Sequence, residues 1–118
     1  MEFELFSGLY KEALESTDKE MFIAELGWQD WMNQYNAHEI GILLSEIYTL
    51  ANSSIRENRE RYGLTRASFC RRHDIPRRTA ESWEMEQNKI APYLKELFDY
   101  SFLTDPKQEE ENKMVKTK

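Results

Sequence analysis

Apolar residues recur along the chain at helical spacing, and no stretch alternates with period two. Phe3, Phe6, Leu9, Tyr10 and Leu14 mark a first helix over residues 3–15. The stretch "STDKE" ends it and starts the next, with Thr17 or Asp18 as cap and Glu20 in the first turn. Met21, Phe22 and Leu26 then form an apolar face that Gly27 interrupts. Trp28, Trp31 and Met32 follow on one helical side, a spacing that points to core rather than to a binding box. Asn36 carries cap chemistry, and an amphipathic helix runs from about Glu39 to Ala51. Its stripe of Ile40, Leu43, Leu44, Ile47, Tyr48, Leu50 and Ala51 is wider than one partner surface requires. That suits a central helix or a subunit contact.

Shorter segments follow. Ser53 or Ser54 caps "IRENRERYG", and Gly63 suits the residue just past a helix end. Thr65 caps "RASFCRRH"; "DIP" then leads into "RRTAESWEMEQ", with Pro76 in its first turn. A last helix follows Pro92, with Tyr93, Leu94, Leu97, Phe98, Phe102 and Leu103 apolar. The tail "KQEEENKMVKTK" has almost no apolar content and is expected to be disordered. The pattern predicts an all-α chain in three parts. These are an acidic helical region over 1–52, a second helical domain over 53–103 and a tail over 104–118.

Composition supports folding: 40% of the 118 residues are hydrophobic, with only four Gly and three Pro to break helices. No apolar run reaches the roughly 18 residues of a membrane span. The start carries acid rather than a basic segment, so no secretory signal is expected. Cys70 is the only cysteine, which precludes an internal disulfide and suits a reducing cytoplasm. His38 and His73 lack ligand-type spacing, so no metal site is expected, and no cofactor motif is present. No Gly-rich phosphate loop or nucleophile–base set points to an enzyme.

The net charge of −6 hides an asymmetry. Residues 1–50 hold ten acids against two lysines, whereas residues 55–80 hold eight arginines against Glu57, Glu60 and Asp74. Arginine presents a planar fork suited to phosphates and guanine edges. Arg56, Arg59 and Arg61 interleave with Glu57 and Glu60, as in a salt-bridged solvent face. Arg71 and Arg72 fall late in their helix and are weaker candidates. Trp83 is expected in a core with Phe69, Ile75 and Leu97, and Cys70 as a small buried residue.

Two short helices separated by "HDIP", the second opening on Arg77 and Arg78, form a helix-turn-helix pattern. The segment from about Ser54 to Leu103 resembles the Cro/C1-type (Xre-family) domain of phage and bacterial mobile-element repressors. The residues that carry the resemblance are Leu64–Thr65, Phe69–Cys70, Ile75, Trp83–Glu84 and Pro92–Tyr93. The chain departs from the pattern at Asp74 and Glu86, where the family often has Gly. Asp tolerates the left-handed conformation; Glu86 points to a helix that runs on by one more turn.

The resemblance implies a five-helix-type unit that binds double-stranded DNA as a homodimer, without a cofactor. It places Arg77, Arg78 and Ser82 at base-reading positions. It places Thr65, Arg66 and Thr79 near phosphate or flanking bases. The expected function is a sequence-specific transcriptional regulator, a repressor. The N-terminal helices would complete the domain or build the dimer interface, through Ile40–Leu44–Ile47–Tyr48 or Trp28/Trp31. An alternative is an inhibitor of the anti-CRISPR or antitoxin kind. It would bind a protein partner through the N-terminal acids Glu2, Glu4, Glu12, Glu15, Asp18, Glu20, Glu25 and Asp30.

Overall fold

A computed structural model describes residues 1–105; the expected disordered tail lies, beyond Asp105, outside them. Among the described residues the chain is all-helical, with no strand. It divides into two units, Met1–Asn52 and a second that begins at Ser53.

The first unit contains α1 (Phe3–Glu15), α2 (Lys19–Leu26), a short 3₁₀ helix (Asp30–Gln34) and α3 (Ala37–Ala51). Local chemistry sets the starts. Asp18 Oδ1 accepts from Met21 N–H at 2.8 Å. Asn36 and Glu39 exchange hydrogen bonds in a capping box, so α3 begins two residues before the apolar stripe suggests. α1 and α2 both pack against α3. Phe6, Leu9, Tyr10 and Ala13 bury from α1, Phe22 from α2, and Ile40, Leu44, Ile47 and Leu50 from α3. Each large side chain so buried stabilises by roughly 1.5–3 kcal/mol.

Two expectations need correction. Trp28 is 57% exposed, and its indole N–H donates to Asn33 Oδ1 instead of joining the core. Gly27, at φ 64°, turns the chain there, and only Met32 of the Trp28–Met32 group is fully buried. Leu14 is likewise exposed, because Ala13 takes the inward position of the last turn of α1.

The second unit contains α4 (Ile55–Arg61), α5 (Arg66–His73), α6 (Arg77–Glu84) and α7 (Pro92–Thr104). Ser54 and Thr65 cap α4 and α5, and Pro92 opens α7. The core is aromatic. Phe69 meets Phe98 edge-on at 5.1 Å and stacks on Phe102 at 5.9 Å, and Tyr62 stacks on Phe102 at 5.4 Å. Trp83 is only half-buried and meets Phe98 at 5.9 Å. Leu97, expected beneath it, is exposed.

Three helices of this unit end through a left-handed residue. Gly63 does so after α4 at φ 77°, with Gly63 N–H on Glu60 O and Leu64 N–H on Arg59 O. Asp74 does so after α5 at φ 53°, with Ile75 N–H on Cys70 O at 2.9 Å. Glu86 does so after α6 at φ 59°, with Glu86 N–H on Trp83 O and Gln87 N–H on Ser82 O. The expected extra turn of α6 is therefore absent. Two hydrogen bonds close the helix as a glycine would, at a steric cost of about 1–2 kcal/mol for a side chain in this conformation.

Candidate nucleic-acid interface

The expected site residues lie on α6 and at the start of α5, two helices that pack on each other. Three residues, Asp74, Ile75 and Pro76, join them. The left-handed Asp74 reverses the chain, and half-buried Ile75 fills the turn. Pro76 fixes the approach to α6, and its carbonyl accepts from Thr79 and Ala80 N–H.

Asp18, Asn36, Ser54 and Thr65 each cap the helix that follows with a side chain, but α6, like α1 and α7, has no such cap. Its first N–H groups are thus left for an outside acceptor. Arg77 and Arg78 stand beside them, both exposed. Among the described residues neither makes an ion pair. Ala80 is buried, which turns Arg78, Ser82 and the exposed Met85 outward at helical spacing.

The other arginines are mostly engaged. Arg59 was expected on a solvent face but is buried. Its Nη1 donates to Leu64 O at 2.9 Å, and its Nη2 to Glu84 Oε1 at 2.8 Å. The Glu84 carboxylate is 3% exposed, and Arg66 reaches it with Nε at 3.3 Å. Arg66 also pairs with Glu81 at 3.4 Å. One buried carboxylate at the end of α6 therefore ties α4 and α5 to it. Burial pushes the Glu84 carboxyl up, but hydrogen bonds from Arg59 and Arg66 more than reverse this and hold it below its ordinary range. The same bond raises the Arg66 guanidinium. Arg56 pairs with Glu60, Arg61 donates to Asn58 Oδ1, and Arg72 pairs with Asp105.

The remaining expected residues divide. Thr65 is exposed, but its hydroxyl is spent on Ser68, accepting from its N–H and donating to its Oγ. Thr79 and Ser82 are half-buried, and Asn88 Nδ2 donates to Ser82 Oγ at 2.7 Å. The sequence reading missed the Arg59–Glu84 clasp. Its partners stand 25 residues apart, and the nearby Glu57 and Glu60 offered Arg59 a local alternative.

No protein-family model, curated protein or solved structure matches the chain. Among the described residues no group of His, Cys, Asp and Glu is placed to hold a metal ion, and no helix is long and apolar enough to cross a membrane.

Proposed function

We infer that the second unit binds double-stranded DNA as a helix-turn-helix, with α6 entering the major groove by its N-terminal end, and that the chain acts as a sequence-specific transcriptional repressor. The observation that carries this reading is a division among the arginines. Those on α4 and Arg66 on α5 are held by carboxylates, Asn58 or a carbonyl, and exposed Arg71 donates to Ser68 Oγ, whereas Arg77 and Arg78 stand exposed with no such partner at the uncapped start of α6.

Such a pair suits bidentate hydrogen bonds to guanine O6 and N7, and the uncapped N–H groups suit a phosphate. Arg66 fixes α6 to α5 through Glu84 and offsets Glu81, so that the groove-facing side of α6 carries less repulsion for phosphate. A homodimer would set two α6 helices about 34 Å apart on a near-palindromic site.

The test is fluorescence anisotropy with DNA from upstream of the chain's own gene, at two salt concentrations. Binding is expected to weaken steeply with salt through loss of phosphate contacts. Arg77→Ala/Arg78→Ala is expected to weaken it about a hundredfold or more, from roughly 1–3 kcal/mol per bidentate contact. Binding no tighter than to random DNA, or unchanged in the double variant, refutes the reading.

A further inference from the structure

We propose that the first unit carries a docking groove for a basic, amphipathic peptide segment of a partner protein. The groove lies between the end of α1 and α2, has a volume of about 500 Å³, and is open to solvent. Met21 and Leu26 supply its apolar surface over the buried Phe22, and Glu12, Glu15 and Glu25 also line it. Met21 is 45% exposed, on a helix whose neighbour Phe22 is fully buried. An apolar side chain is therefore left at the groove with room beside it.

The three carboxylates are exposed, and among the described residues none has an ion-pair partner. No basic residue lines the groove; the nearby Lys19 donates instead to Thr49 Oγ1 at 2.8 Å. Nor do the carboxylates converge as metal ligands would. Separated negative charges around an apolar floor complement a ligand with several separated positive charges and an apolar side chain between them. A Lys/Arg-bearing amphipathic segment has that chemistry; a point cation does not, and a polyamine lacks the apolar anchor. The inference uses the first unit alone and does not rest on DNA binding by the second.

The experiment is anisotropy titration of a labelled peptide of repeated Lys-Leu-Leu-Lys units with the full chain. Glu12→Gln/Glu25→Gln is compared with Glu2→Gln/Glu4→Gln, which makes the same charge change at exposed positions outside the groove. The groove pair is expected to weaken binding about tenfold, from two exposed charge contacts, and the outside pair less than about twofold. Met21→Ser should weaken binding without changing net charge. Replacing Leu by Ser in the peptide should do likewise. Equal losses from the two acid pairs would overturn the proposal and leave only attraction by net charge. So would undiminished binding of the Ser-substituted peptide, displacement of the peptide by an equal concentration of spermidine, or no binding to the wild type. Self-association of the chain that the groove variants abolish would also overturn it, giving the groove to a second copy.

Discussion

The two units stabilise their helices by different means. Among the described residues, the first buries eleven apolar side chains and no charged one. The second buries only seven apolar side chains, together with Asn58, Arg59, Glu96 and Asp99. Asn58 Nδ2 donates to Asp99 Oδ1 at 2.8 Å, and Lys95 pairs with Asp99 across one turn of α7. The first unit therefore keeps its groove acids, Glu12, Glu15 and Glu25, exposed at its surface. The second spends much of its charge on itself, and Arg77 and Arg78 are among the few cations it leaves exposed without an ion pair among the described residues, beside Arg71 and Lys89. The contrast teaches that charge density along a sequence is a poor guide to available charge. Availability depends on which groups the fold consumes.

The largest effect expected from this contrast is that of Glu84→Ala. It strands the buried Arg59 guanidinium and should destabilise the second unit by about 3–5 kcal/mol. Segment-resolved hydrogen exchange should show α4–α6 losing protection while α1–α3 keep theirs. Equal loss in both units would break the comparison. The converse variant is Ile47→Ala, at a position with no exposure, which should cost the first unit about 2–5 kcal/mol. In that variant α4–α7 should stay protected.

Acid should separate the units next. His73 packs against the rings of Phe69 and Phe98, at 4.9 and 5.0 Å, and its Nε2 has no hydrogen-bond partner among the described residues. Burial, with Arg72 beside it, lowers its pKa below 6.5. The unfolded chain then binds the proton first, so stability falls as pH drops below about 6.5 toward the folded value. Glu84 is also depressed, from 4.5, so its contribution is present above that value and is lost as pH falls through its folded pKa. Both act in the second unit. Its resonances should lose dispersion at a higher pH than those of the first, and His73→Phe should remove the upper part of the loss. Coincident acid transitions would contradict this.

Smaller effects sharpen the picture. Glu86→Gly relieves a left-handed side chain but frees the unfolded backbone. The net expectation is a gain of about 0.5–1 kcal/mol, read as a higher thermal midpoint. Least of all, Arg77→Ala/Arg78→Ala should change stability by no more than about 0.5 kcal/mol, since the pair holds nothing in place. A larger loss by thermal denaturation would mean that these arginines serve the fold.

Much of the architecture was legible because its causes are local. Asp18, Asn36, Ser54 and Thr65 bond to groups three residues away, and Gly63 ends α4 through its own backbone. The all-helical class and most helix limits follow from such short-range chemistry and from apolar spacing. The Trp28–Met32 segment was misread because periodicity cannot show that Gly27 turns the chain. Glu86 was misread because propensity favours continuing a helix, whereas hydrogen bonds to Ser82 and Trp83 close it. The arginines are the clearest case. Sequence alone placed eight of them between residues 55 and 80, but not their fates. Tertiary structure decided those, because the Glu84 carboxylate that claims Arg59 and Arg66 reaches them only once α6 has folded back on α4 and α5. Ion pairing acts over a few ångströms of space, and chain distance does not report it.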